Sequence, residues 1–300
     1  MIVAARSGTA DSLIRRAGQG SRVSGEFPSF TRRTLLAATA GGLPARALRE
    51  LGRVGGASAI ELRVRVYPDQ RLGWAGTARD VQRHLRRSLE WLHAVARERL
   101  DRRVDVRLER GPVVPRDPLD FDTETRLYRS FRDWLDGTDT PEGPVSHLFL
   151  ADAPFDPDLG YGIANTHVRG GGRLGAQALA NVGATEFWDD RTVSRNMAIH
   201  EVLHTLVRSQ DARAANGSPC EHDLGAVVGG TPDRVFVTPL ATSYAGASGG
   251  VETTWHGTGC YNHDRFSQYD AHSDLETTWH HTWVPSDATC DAVVRYLREW

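Results

Sequence analysis

The residues best suited to chemistry lie in one short segment, His200-Glu201-Val202-Leu203-His204. Side chains four positions apart lie about 40° apart around a helix, so both imidazoles would project from the same face. Paired neutral imidazoles are typical ligands of Zn²⁺. Glu201 would point in a different direction, where its carboxylate can take a proton from a water that the metal holds. The pattern therefore predicts a zinc site with His200 and His204 as ligands and Glu201 as general base.

A helix must present these side chains, and the sequence predicts one from about Thr192 to Val207. Its apolar positions follow the spacing of a single helical face: Ile199, Val202, Leu203, Leu206 and Val207. Such a stripe would pack against the core and leave both histidines at the edge of the buried face.

This pattern on an amphipathic helix resembles the zincin metallopeptidases. The resemblance implies an α+β fold, with a twisted mixed sheet above the active-site helix and a smaller C-terminal subdomain that closes the cleft. It also implies zinc-dependent hydrolysis of a peptide or protein substrate. Two other functions remain open, a non-catalytic binding protein of the same fold and a zinc hydrolase of a non-peptide amide. Glu201 favours an enzyme, since a site that only retains a metal needs no base.

A catalytic zinc site usually has three protein ligands, so one more is expected downstream. The segment Cys220-Glu221-His222-Asp223-Leu224-Gly225 is similar to the His-Asp-x-Gly that ends many motifs of the metzincin branch. His222 is therefore the expected third ligand, although it lies much further from His204 than the six residues of the short family motif. The residues between them, Arg208–Pro219, are expected to form an exposed loop. Two acidic alternatives remain open as the third ligand: Glu221 and Asp211.

A second segment is similar to the metzincins. Thr238-Pro239-Leu240-Ala241-Thr242-Ser243-Tyr244 is a proline-containing turn after a predicted strand at Val235–Val237. It resembles the turn that these enzymes place beneath the metal, with Leu240 where the family has Met. The resemblance makes Tyr244 a candidate for stabilising the oxyanion. A tyrosine buried in the core is the alternative reading of that residue.

The remaining elements follow from the period of the apolar residues. Alternation or continuous apolar runs predict strands at Ile60–Tyr67, Val104–Leu108, Val145–Ala151 and Ala176–Val182, with an irregular edge strand at Tyr161–Asn165. Helical spacing predicts helices at Thr77–Leu100, Thr125–Leu135 and Cys290–Trp300. We therefore expect a leader over residues 1–47, an N-terminal subdomain over 48–210 and a C-terminal subdomain over 211–300.

The N-terminal sequence resembles a twin-arginine export signal. Arg32-Arg33 precedes a short, weakly apolar stretch, Leu35–Leu43, and Ala45-Arg46-Ala47 matches an A-x-A cleavage site. We therefore expect an exported protein. Disulfides persist outside the reducing cytoplasm, so two of the three cysteines should be bridged. A bridge between Cys260 and Cys290 is favoured over the pairings of Cys220.

Composition excludes several function classes. The chain of 300 residues has 36 basic and 38 acidic residues, and this balance argues against a nucleic-acid partner. Every basic residue is arginine, so Schiff-base and P-loop chemistry, which need lysine, are excluded. No apolar run reaches the roughly 18 residues of a transmembrane helix. We expect a monomer that binds one zinc ion.

Overall fold

The computed structural model describes residues 59–140, 142–154, 156, 158–160, 162–183, 192–231, 234–244 and 278–300. The expected leader, residues 1–47, lies outside these ranges. No described helix is long and apolar enough to cross a membrane.

The described residues form helices and strands in alternation along most of the chain. The strands are β1 (Ile60–Pro68), β2 (Val104–Arg110), β3 (Val145–Ala151), β4 (Gly162–Ala164), β5 (Ala176–Asn181), β6 (Val227–Thr231), β7 (Arg234–Val237) and β8 (Thr278–His281). The α-helices are α1 (Gly76–Arg99), α2 (Glu124–Asp136), α3 (Thr192–His204), α4 (Ser209–Asn216) and α5 (Asp287–Arg298). Short 3₁₀ helices cover Gly172–Leu174, Glu221–Leu224 and Pro239–Tyr244.

The main sheet is mixed and has the strand order β2-β1-β3-β5-β4. Four of its strands are parallel, and β4 runs antiparallel to β5 at the edge. Every residue of β3 and β5 is buried, because helices cover both faces of the sheet. One core contains apolar residues of α1, α3 and α5, and the other contains those of α2. The sheet thus holds α3 against one face.

Helix α3 carries the predicted apolar stripe into the core. Ile199, Val202 and Leu203 are each 1% exposed. The helix ends at His204, three residues before the predicted end, and Leu206 and Val207 are buried in the turn that follows. The predicted burial of the stripe is confirmed. The helix ends earlier than predicted because the chain turns directly after His204.

The α+β class predicted from the sequence is confirmed, and so is the predicted packing of a mixed sheet on the helix that carries the His-Glu-x-x-His pattern. A smaller sheet, in the order β6-β7-β8, follows that helix in the chain. The boundary between subdomains at residue 210 stays a prediction.

The expectation of an exposed loop at Arg208–Pro219 is wrong, because α4 occupies most of it. The carboxylate of Asp211 accepts the backbone N–H of Arg208 at 3.3 Å and so caps the first turn. Ala212 is fully buried, and α4 packs against α5. Tertiary contact stabilises this eight-residue helix, which is too short to form in isolation.

The favoured cysteine pairing is also wrong. Cys290 carries a free thiol that is 1% exposed inside α5, whereas Cys220 is disulfide-bonded. The third cysteine, Cys260, lies outside the described residues. Cys290 sits on the apolar face of a helix, so its side chain contributes to packing in the core.

Candidate metal centre and active site

Three histidine side chains converge on one point. His200 and His204 come from α3, and His222 comes from the 3₁₀ helix Glu221–Leu224. The Nε2 atom of His204 lies 3.0 Å from that of His200 and 3.0 Å from that of His222. The Nε2 atoms of His200 and His222 are 3.2 Å apart. The structure thus brings together all three residues that the sequence suggested as ligands.

The opposite nitrogen of each ring is held by an acceptor. Nδ1 of His200 donates to the carbonyl oxygen of Pro239 at 2.9 Å, and Nδ1 of His204 donates to Oε2 of Glu221 at 2.6 Å. Nδ1 of His222 lies 3.7 Å from Sγ of the disulfide-bonded Cys220. A carbonyl, a carboxylate and a disulfide sulfur accept hydrogen bonds and donate none. The ring protons therefore lie on Nδ1, and three Nε2 lone pairs face one another.

Burial keeps the histidines in the form that binds metals. Desolvation lowers the pKa of His200 and of His222 well below the usual value, and the neighbouring histidines lower both further. Neutral rings with three facing lone pairs cannot satisfy one another by hydrogen bonds. Tetrahedral ligands with zinc–nitrogen bonds of about 2.0–2.1 Å would lie roughly 3.3–3.4 Å apart, close to the observed spacing. The three histidines can therefore hold a metal ion.

Glu201 lies beside this cluster. Its carboxylate is buried, with 3% of the residue exposed, and Oε1 is 4.0 Å from Nε2 of His200. No described residue donates a hydrogen bond to it. Burial raises the pKa of Glu201 well above the usual value, and the charges of Glu124 and Glu221 raise it further. The arrangement places a carboxylate next to the metal-binding face without placing it among the ligands.

The edge strand β4 passes directly over Glu201 at Gly162. A Cβ atom at Gly162 would lie 2.8 Å from Oε1 of Glu201 and 2.5 Å from the carbonyl oxygen of Leu179. Both distances are too short for a carbon atom, so only glycine fits between the carboxylate and β5. The glycine-rich composition of the predicted edge strand was the one sequence signal for this close approach.

The two acidic alternatives for the third ligand lie elsewhere. Glu221 points its carboxylate at the far nitrogen of His204, so it supports that ring from behind. Asp211 makes two hydrogen bonds to the guanidinium of Arg208, at 2.7 and 3.1 Å. Among the described residues, the side chains that could together hold a metal are His200, His204 and His222. Neither acid belongs to this group.

The predicted turn contributes through its backbone. The carbonyl of Pro239 orients His200, and the side chain of Leu240, the next residue, is fully buried. Tyr244 is the last residue of the 3₁₀ helix that begins at Pro239. Its role at the oxyanion stays a prediction.

Glu124 is a site residue that the sequence did not indicate. It is the first residue of α2, is partly exposed, and lies close enough to raise the pKa of Glu201. Burial raises the pKa of Glu124 itself to about 7, against the effect of a hydrogen bond from the backbone of Gly162. Oε1 of Glu124 would be 3.3 Å from a Cβ atom at Gly160. Two carboxylates thus approach the same stretch of β4.

No family model and no curated protein matches this sequence. Among solved structures, the chain is similar to metalloproteinase-II from Bacteroides fragilis, with 16% sequence identity and a TM-score of 0.34. The match covers 49% of this chain and 42% of that one, so it spans less than half of either protein.

Proposed function

We propose that this chain is a secreted, zinc-dependent metallopeptidase. The observation that carries the proposal is the convergence of three Nε2 lone pairs within 3.2 Å of one another, each ring held from behind, next to a buried carboxylate. His200, His204 and His222 are the proposed zinc ligands, since three imidazoles leave an open position for catalysis.

When bound, zinc would supply a Lewis acid and an activated water at neutral pH. Glu201 is the proposed general base, which takes a proton from the attacking water and passes it to the leaving amine. Glu221 holds His204 by a 2.6 Å hydrogen bond, and Pro239 holds His200 by one of 2.9 Å. Tyr244 is proposed to stabilise the oxyanion from the end of the 3₁₀ helix.

The edge strand supports a peptide as substrate. Strand β4 pairs with β5 on one side and is the last strand of the main sheet. No other described strand pairs with its second edge, which can therefore pair with an extended peptide. Glu201 contacts this strand at Gly162. A peptide aligned on β4 would therefore pass close to the proposed base and the metal ligands.

Metal analysis combined with one variant tests this function. Purified protein reconstituted with zinc should contain about one zinc per chain and cleave denatured casein. Glu201→Gln should keep the zinc and lose cleavage, because it removes the base and leaves the ligands. The same substitution at the exposed residue Glu90 of α1 is the matched control and should change neither. Absence of bound zinc, or full cleavage by Glu201→Gln, would refute the proposal.

Export is the second part of the proposal and is tested separately. Replacing Arg32 and Arg33 by lysine should block secretion, because twin-arginine translocation requires the arginine pair. In the secreted wild-type protein, the mature N-terminus should lie near Leu48. Unchanged secretion of the double variant would refute the export signal without affecting the catalytic proposal.

A further inference from the structure

We propose that Glu124 forms a subsite that binds a cationic group of the substrate, an ammonium or a guanidinium, beside the general base. The inference rests on the proposed function, because it assigns a specificity to the same cleft. It concerns a residue that lies far from the zinc motif in the sequence and reaches the site only through the fold.

The fold places Glu124 at the start of the strand on which a peptide would align. Helix α2 begins at Glu124 and contacts β4. The carboxylate lies against Gly160, accepts a hydrogen bond from the backbone of Gly162, and acts electrostatically on Glu201. A group bound to Glu124 would therefore lie next to the proposed scissile position.

The carboxylate of Glu124 has no cationic partner among the described residues, although the chain contains 36 arginines. The buried Asp69, in contrast, forms an ion pair with Arg116, and Asp211 forms one with Arg208. A partly buried carboxylate without a counter-ion is costly, and a bound cation would offset that cost.

Glu201 provides a second, independent indication of a ligand. It is a polar side chain that is only 3% exposed, receives no hydrogen bond from a described residue, and faces the same part of β4. Two carboxylates thus approach the same segment of chain, Glu201 at Gly162 and Glu124 at Gly160 and Gly162. A cation is the ligand class that both would attract, whereas an acidic group would be repelled by both.

A purely structural role does not account for Glu124. The N-terminus of α2 is already capped by Thr123, whose side chain accepts from the backbone N–H of Arg126 at 3.3 Å. The hydrogen bond from Gly162 uses only part of the capacity of a carboxylate, which has about four acceptor positions. Because Glu124 is partly exposed, the remaining positions are open to a ligand.

Binding of small amides to the zinc-loaded protein tests the subsite without relying on hydrolysis. Calorimetric titrations would compare N-acetyl-arginine amide, which carries a guanidinium, leucine amide, which carries an ammonium, and the neutral N-acetyl-leucine amide. At least one cationic amide should bind about 10- to 100-fold more tightly than the neutral one. The two cationic probes distinguish a basic side chain from a free amino terminus as the group recognised.

Glu124→Gln should abolish this preference, since glutamine keeps an acceptor for the backbone of Gly162 and removes the charge. Asp122→Asn is the matched control, because it removes an equal charge from an exposed residue two positions away, and it should keep the preference. Equal binding of all three amides to the wild type, or an unchanged preference in Glu124→Gln, would overturn the subsite. Casein cleavage in the same preparations reports separately on the proposed function.

Discussion

His147 makes the stability of the fold depend on pH. This residue of β3 is fully buried, and a hydrogen bond of 2.7 Å joins its Nδ1 to the hydroxyl of Tyr67. Burial lowers the pKa of His147 to about 4, with further contributions from the charges of Arg65 and Arg63. The folded chain therefore resists protonation of a ring that titrates near pH 6.5 when the chain is unfolded.

The size of the effect follows from the two pKa values. Stability from the neutral ring is complete above about pH 6.5 and is lost as the pH falls toward 4, because the unfolded chain takes up the proton first. Between pH 7.5 and pH 5 the contribution of His147 to the free energy of unfolding falls by about 2 kcal/mol, and the decrease approaches roughly 3 kcal/mol below pH 4. In metal-free protein, burial of the neutral rings of His200 and His222 also makes the fold less stable as the pH falls.

Urea denaturation in the presence of EDTA, at pH 7.5 and at pH 5, measures how much the free energy of unfolding decreases between the two pH values. In His147→Gln the loss should be about 2 kcal/mol smaller than in the wild type, since the other histidines are common to both proteins and cancel. His280→Gln, which removes an exposed histidine from β8, is the control and should keep the wild-type loss. An identical pH dependence in His147→Gln and the wild type would refute the reasoning.

Three further predictions concern the site and the thiols. Glu221→Gln should weaken zinc binding about 10- to 100-fold in chelator competition, because His204 loses its charged partner. Gly162→Ala should lower peptide hydrolysis at least tenfold at unchanged zinc content, because the added methyl group collides with Glu201. Alkylation of the denatured, unreduced protein should label Cys290 and leave Cys220 unlabelled, as mass mapping would show.

Each of these predictions has a control or a contradicting result. Asp211→Asn removes an acid that pairs with an arginine and should leave zinc affinity unchanged, so equal losses in both variants would contradict the role of Glu221. Gly137→Ala places a methyl group at ordinary contact distances of 3.6 Å and should keep activity. Labelling of Cys220 would show that its bridge is absent.

Local patterns in the sequence predicted the elements that carry the site. The apolar stripe of α3 determines which face is buried, and the four-residue spacing then brings His200 and His204 together. The His-Asp-x-Gly segment indicates His222 on its own, because it does not depend on the distance from the helix. Both signals involve only residues that are close in the sequence, so a sequence pattern can describe them.

Features that depend on distant residues were missed. Helix α4 owes its stability to packing on α5, so its polar sequence by itself predicts a loop. Asp211 caps the start of this helix, whereas the sequence by itself suggests Asp211 as a possible metal ligand. Glu124 and Gly162 meet only because β4 lies at the edge of the sheet beside the start of α2. The cysteine pairing similarly depends on which segments the fold brings into contact.

The support of His200 by Pro239 depends on the main chain, whereas the apolar packing beside it depends on a side chain. The acceptor is a main-chain oxygen, so replacing a side chain in this turn does not remove it as long as the backbone keeps its course. The side chain that follows only has to fill an apolar space, and Leu240 does so with a volume close to that of methionine. A search that requires methionine here would overlook proteins that keep the same support, whereas one based on backbone geometry would retain them.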